Sequence, residues 1–244
     1  LELDGTENKS KIGANATLAA SLAFAKSLSS HSSKDFFKFI SESEEYLLPV
    51  PMMNIVNGGS HADNDVDIQE FMIAPVGAPS FSEALRYGCE IFHSLKSILK
   101  SKNLNTNVGD EGGFAPMISS NDKALDLIVK AIQKSGFVNG KDVSICLDVA
   151  ANELYKKKKY SIHSKSFISV KKSILEYKKI LKKYKIKSIE DPFAENDWSA
   201  WNKLMRSIKK VQIVGDDLYV TNLERLKKGF LNISSNAILI KLNQ

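Results

Sequence analysis

Lys187-Ser188-Ile189-Glu190-Asp191 and Val211-Gln212-Ile213-Val214-Gly215-Asp216-Asp217 are two short apolar runs that each finish on acids. Between them, residues 197–209 have helical character. An apolar run this short, flanked by helix, reads as a strand buried on both faces. The same unit recurs outward in both directions. Upstream, Val143-Ser144-Ile145-Cys146-Leu147 runs into Asp148 and is followed by a helical stretch at 169–184. Downstream, a helical stretch at 222–229 leads to an apolar run at 237–242 that contains Lys241. Four runs alternating strictly with helices indicate parallel strands joined by helical crossovers.

Further upstream the order changes. Runs at 50–56 and 69–76 lie close together and predict a hairpin, and helices at 80–101 and 121–134 follow in succession. The order is therefore β-β-α-α and then β-α-β-α-β-α-β. A closed barrel and an open doubly wound sheet both accommodate it. Residues 1–47 differ in character. They are Ala/Ser-rich and helical, with Leu18, Leu22, Ala25 and Leu28 at helical spacing and a second short apolar face at Phe36, Phe37, Phe39 and Ile40. Pro49 and Pro51 then break the helix. The expected division is 1–47 and 48–244.

Of the 244 residues, 43% are hydrophobic and 25% charged, an ordinary globular composition. No stretch has the apolar length of a membrane span. The chain opens Leu1-Glu2-Leu3-Asp4-Gly5, without Met, basic n-region or apolar h-region, and stops just after an apolar run. The expectation is a chain cut at both ends. Two cysteines, Cys89 and Cys146, are too few for a disulfide framework, and Cys146 reads as a small buried thiol. The net charge of +6 is unevenly spread: 13 lysines and one acid, Glu176, fall between Lys156 and Lys187. That hairpin-like stretch and its following helix read as a solvated face rather than a nucleic-acid surface, because aromatics are few.

The strand ends carry the chemistry. If the sheet closes, the C-terminal ends of its parallel strands converge where barrel active sites lie. Asp148, Glu190 and Asp216 then meet, and three carboxylates cannot all stay ionised at close range without a cation. Oxygen-only donors suit a hard ion such as Mg²⁺. A single Asp after a strand is otherwise a helix cap, a reading open to Asp217. Lys241, expected within a strand between Ile240 and Leu242, is either a rim lysine or a base whose pKa is lowered by burial and a nearby cation. Asn57-Gly58-Gly59-Ser60-His61-Ala62 and Gly109-Asp110-Glu111-Gly112-Gly113 are Gly-rich but match neither phosphate-loop nor dinucleotide patterns. Glu111, held among glycines, lies where backbone approaches a ligand closely. Glu70, between apolar residues, needs a partner. His61 reads equally well as an ordinary loop histidine.

These segments resemble the enolase family, in family order. The resemblance includes Leu3-Asp4-Gly5-Thr6, Asn8-Lys9-Ser10, Gly13-Ala14-Asn15-Ala16, Pro49-Val50-Pro51-Met52-Met53-Asn54, Gln69-Glu70-Phe71-Met72-Ile73, Ser188-Ile189-Glu190-Asp191-Pro192, Gly215-Asp216-Asp217-Leu218 and Leu239-Ile240-Lys241-Leu242-Asn243-Gln244, besides the two glycine segments. It implies an α/β fold, an enolase-type (β/α)8 barrel of ββαα(βα)6 order, incomplete here with about six of eight strands, preceded by the end of an α+β capping domain. It implies Mg²⁺ as cofactor, held by Asp148, Glu190 and Asp216. Lys241 matches the base, Glu111 the acid that assists hydroxide departure, and Glu70 a second carboxylate near the leaving group. His61 and Gln69 match substrate-contacting positions. The implied reaction is the reversible dehydration of 2-phosphoglycerate to phosphoenolpyruvate, by a cytoplasmic homodimer in its full-length form, with a cell-surface pool reported for the family. The chain alone is expected to be inactive. An acid-sugar dehydratase of the same superfamily is the rival reading, but it lacks the two glycine segments as a set.

Overall fold

The computed structural model describes residues 1–6, 9–41, 43–109, 111–162 and 166–243. Asn8, Asp110 and Gln244 of the quoted segments fall outside them. By contacts the chain divides into two units, Leu1–Leu48 with Lys241–Gln244, and Pro49–Ile240.

In the first unit, helix α1 (Ala14–His31) leads to the short α2 (Phe36–Ile40). Asp4 organises the turn ahead of α1. Its carboxylate accepts from the Thr6 amide at 3.1 Å, from the Thr6 hydroxyl, and from the Ile12 amide at 2.6 Å. Gly5 fits this turn because its φ is +64°.

The second unit begins with the predicted hairpin, β1 (Met53–Asn57) antiparallel to β2 (Glu70–Ala74). Helix α3 (Phe81–Ser101) follows, then a small hairpin of β3 (Val108–Gly109) and β4 (Gly112–Phe114), then α4 (Asn121–Lys134). The sequence pattern did not reveal β3 and β4, because two or three residues cannot carry a period-2 signal. Next come β5 (Ser144–Asp148), then β6 (Tyr155–Lys156), β7 (Lys159–Tyr160) and β8 (Ile168–Ser169) in a separate three-stranded sheet, and α5 (Val170–Tyr184). Four alternating elements and a last strand complete the unit: β9 (Ser188–Glu190), α6 (Trp198–Ser207), β10 (Gln212–Gly215), α7 (Leu223–Asn232) and β11 (Ala237–Ile238).

The main sheet has the order β11-β10-β9-β5-β2-β1-β4-β3. β5, β9, β10 and β11 pair in parallel, and β2 runs antiparallel to both neighbours. This is the ββαα opening of an incomplete α/β barrel. Helix starts are fixed locally: Ser80, Ser120, Ser169, Asp197 and Asn222 each accept a first-turn amide with their side chain.

Burial alternates along the strands in a way that sets up the site. Ile73, Ile145, Leu147, Ile189 and Ile213 join the large core with Ile91, Leu95, Ile128, Tyr177, Trp201 and Leu204 of the helices. Met72, Ala74 and Cys146 form a second, small buried group. Side chains alternate faces along a strand, so Asp148 shares the face of Cys146, and Glu70 shares that of Met72 and Ala74. Burial raises the Cys146 thiol to about 12, an unreactive group, as expected.

One strand is shorter than expected. The apolar run at 237–242 predicts a strand containing Lys241, but β11 stops at Ile238. Its last ladder bond runs from the Leu239 amide to the carbonyl of Gly215, the residue at which β10 itself ends. Lys241 is half-buried and belongs to the first unit. Among the described residues, no helix is long and apolar enough to cross a membrane.

Candidate metal and acid-base site

A row of polar residues crosses the sheet at one level. Asn57 on β1 pairs with Glu70 on β2, Glu70 with Asp148 on β5, Asp148 with Glu190 on β9, and Glu190 with Val214 on β10. Asp216 stands two residues beyond Val214, so an extended chain keeps it on the same face. Three adjacent strands thus present carboxylates side by side, with Cα positions about 4.8 Å apart in the pairing direction.

Such an arrangement is costly in an ion-free protein. Two ionised carboxylates about 5 Å apart repel by roughly 3 kcal/mol at an effective dielectric of about 20. That matches or exceeds the roughly 1.5–3 kcal/mol returned by one hydrogen bond to a charged group. Burial and repulsion both favour the protonated form of such groups. Burial pushes the Glu190 carboxyl far up, and Asp148, Asp191, Asp216 and Glu70 add to the effect. Asp148 is also raised, by burial first and then by Asp216 and Asp217, although the Ala150 amide donating to it at 3.0 Å works the other way. Glu190 and Asp216 are both nearly fully buried. Buried carboxylates with oxygen donors only, and no Cys or His among them, fit a hard divalent ion such as Mg²⁺.

The loop after β9 is held from below by buried aromatics. Tyr177 donates to the Pro192 carbonyl at 2.7 Å, and Trp201 Nε1 to the Ala194 carbonyl at 3.2 Å. Tyr160 donates to Asp197 at 2.9 Å and accepts from the Ala194 amide at 3.2 Å. Glu190 and Asp191 therefore enter a loop whose backbone is already fixed.

A second group lies on the β1–β2 side. His61 Nδ1 is 3.6 Å from Glu70 Oε1, and ligand atoms of His61, Glu70 and Glu111 all lie within 4.8 Å of one another. Glu111 is exposed and Glu70 is half-buried. Gln69 links this group to the carboxylate row: its Oε1 accepts from Ser60 at 2.8 Å and its Nε2 donates to Asp148 at 3.4 Å.

Glycines allow the two loops to close. A Cβ at Gly58 would stand 2.4 Å from the Ile68 carbonyl oxygen, so no larger residue fits there. Gly112 and Gly113, at φ +78° and +71°, carry the chain past β1 directly after Glu111. Asn57, fully buried, donates to the carbonyls of Gly112 at 2.5 Å and Gly113 at 3.1 Å, and accepts from Asn54 at 2.6 Å.

The structure thus gathers His61, Gln69, Glu70, Glu111, Asp148, Glu190 and Asp216 within one unit. Lys241 is placed in the other unit. Three residues escaped the sequence reading: Asn57, Asp191 and Asn152. Asn152 donates to Asp217 at 2.9 Å and to Glu195 at 3.3 Å. Each is a polar residue inside or just after a quoted motif, but a second consecutive acid or an Asn beside glycines has no period or spacing to mark it.

Residues 45–244 match the family described as enolase, C-terminal TIM barrel domain. Over all 244 residues the chain is 65% identical to the enolase of Pelagibacter ubique (strain HTCC1062). The match covers 100% of this chain and 58% of the length of that curated relative.

Proposed function

Because this chain belongs to the enolase family, we propose that it supplies most of the catalytic groups of a Mg²⁺-dependent hydro-lyase that interconverts 2-phosphoglycerate and phosphoenolpyruvate. The observation that carries the reading is the row of Glu70, Asp148 and Glu190 across adjacent strands, with Asp216 on the next strand end.

In this reading Asp148, Glu190 and Asp216 hold the ion. When bound, Mg²⁺ supplies Lewis-acid stabilisation of the negative charge that builds on the substrate carboxylate as its α-proton leaves. The enolase superfamily generally pairs a Lys or His base with one or two such ions. Lys241 is the family's base position, and it works as a neutral amine that accepts the α-proton. Glu111, kept as an acid, donates a proton to the departing hydroxide, which is otherwise a poor leaving group. Glu70 lies against His61 and Glu111, as a second carboxylate near the leaving group. His61 and Gln69 orient the substrate, and the Ser60–Gln69–Asp148 chain of hydrogen bonds ties that orientation to the ion-binding row.

The full-length protein acts as a homodimer on a small phosphorylated acid in this reading. The test is dehydration of 2-phosphoglycerate by the full-length protein with Mg²⁺ and after EDTA. Turnover only with the ion supports the reading; turnover that persists without any divalent cation would sink it.

A further inference from the structure

Asp191 follows Glu190 in the chain and is 3% exposed, yet the acid–base and ion-binding roles above leave it unused. Its side chain does something specific. Oδ1 accepts from the Asp216 amide at 3.0 Å, and Oδ2 accepts from the Asp217 amide at 2.7 Å. One carboxylate therefore grips two successive backbone N–H groups at the end of the neighbouring strand. Its own backbone is tied on both sides: its amide donates to the Val214 carbonyl at 3.1 Å, and its carbonyl accepts from the Ala151 amide at 3.1 Å. Asp191 is thus bonded to the turn that follows β5 and to the end of β10, while sitting just past the end of β9.

The residue adopts a φ of +39°, a left-handed conformation that a non-glycine residue holds only when its surroundings impose it. Hydrogen bonds from backbone amides to a carboxylate are charge-assisted and directional. They fix the peptide planes of 216 and 217, and with them the direction in which the Asp216 Cβ leaves the chain. Asp217 is held from its other end, by Asn152 at 2.9 Å.

We propose that Asp191 is a positioning residue, which sets the Asp216 carboxylate for the divalent cation by clamping the backbone of residues 216 and 217. This rests on the reading of Asp216 as an ion ligand. The competing assignment is that Asp191 is itself a ligand, since carboxylate oxygens of Asp191, Asp216 and Asp217 lie within 4.8 Å of one another. The geometry favours the clamp, because each Asp191 oxygen already faces an amide. Residues that orient ligands from behind typically change metal affinity by about 10–100-fold when replaced.

The experiment uses full-length protein and two readouts of metal binding apart from activity. Mn²⁺ binding is followed by the loss of the free-ion electron paramagnetic resonance signal, for wild type and Asp191→Asn. Asn retains one acceptor but turns an amino group toward the second amide. The clamp account expects Asp191→Asn to bind one ion per site with about 10–100-fold weaker affinity, and with full occupancy at high Mn²⁺. Unchanged affinity in a folded variant overturns it. Wild-type protein that binds no Mn²⁺ overturns the underlying site reading as well, and so separates the two failures. Hydrogen exchange of the 216 and 217 amides in wild-type protein, with and without Mg²⁺, requires no variant. Protection that persists or deepens with Mg²⁺ supports the clamp. Protection lost on adding Mg²⁺ means Asp191 leaves the amides to bind the ion, and overturns it.

Discussion

Asp148 on β5 stands directly opposite Glu190 on β9 in a parallel register, so a half-buried and a buried carboxyl group share one level of the sheet. Nothing in packing favours such a pair. In the ion-free protein burial raises both carboxyls above the usual range; Asp148 raises Glu190 further, while Asp216 and Asp217 raise Asp148. In the proposed function a bound cation offsets the cost of this pairing.

Replacing Glu190 by Gln should separate stability from binding. The amide keeps the shape but removes a group whose ionisation is suppressed in the folded state. Glu190→Gln is expected to raise the ion-free melting temperature at pH 8 by several degrees, on the scale of about 1–3 kcal/mol. Calorimetric titration should find Mg²⁺ affinity lowered at least about 100-fold in the same variant. A variant that melts lower and binds normally would contradict the account.

The pH dependence follows from the same groups. Burial and Asp217 raise Asp191 from the usual Asp range to about 7, and Glu190 and Asp148 are raised too. A carboxyl raised on folding binds more protons in the native state than in the unfolded one. Ion-free stability should therefore fall as pH rises from about 4, the unfolded value, through 7. Saturating Mg²⁺ should reverse much of that loss, because binding displaces the protons. Melting curves at pH 5, 6, 7 and 8, with and without Mg²⁺, test this. Ion-free stability that rises across the range would be inconsistent with it.

Asn57→Ala tests the support of Glu111. The substitution strands the carbonyls of Gly112 and Gly113, which a buried amide now satisfies. The expected loss is about 1–3 kcal/mol of stability. Because Glu111 adjoins Gly112, full-length Asn57→Ala should also lose kcat more than it raises KM. Denaturant unfolding and steady-state kinetics read the two effects separately; wild-type values in both would remove Asn57 from the argument.

The base assignment has its own signature. In the full-length protein, Lys241→Ala should abolish exchange of the substrate α-proton with solvent while leaving Mg²⁺ affinity close to wild type. Nuclear magnetic resonance of the substrate in deuterated water measures the exchange directly. Wild-type exchange rates would remove Lys241 from the base role.

Much of this architecture was legible in the residues. The runs ending at Asp148, Glu190 and Asp216 read as buried strands because each is short, apolar and bounded by helix, and helical crossovers force parallel pairing. The β1–β2 hairpin followed from the proximity of two runs. What was hidden depends on long-range pairing or on groups without periodicity. Among the described residues β4 pairs with β1 through Val56 and Phe114, a contact spanning a whole helix. β11 ends level with β10, although apolar residues continue to Leu242. Asp191 looked like a second acid in a pair; only the structure reveals that it faces the amides of the next strand.

Diffraction from full-length crystals equilibrated with Mn²⁺, measured at the manganese absorption edge, tests the central claim most directly. The account expects one strong anomalous peak within about 2.5 Å of carboxylate oxygens from Asp148, Glu190 and Asp216. A peak held by Asp191 and Asp217 instead, or no peak in this row at full occupancy elsewhere, would contradict it.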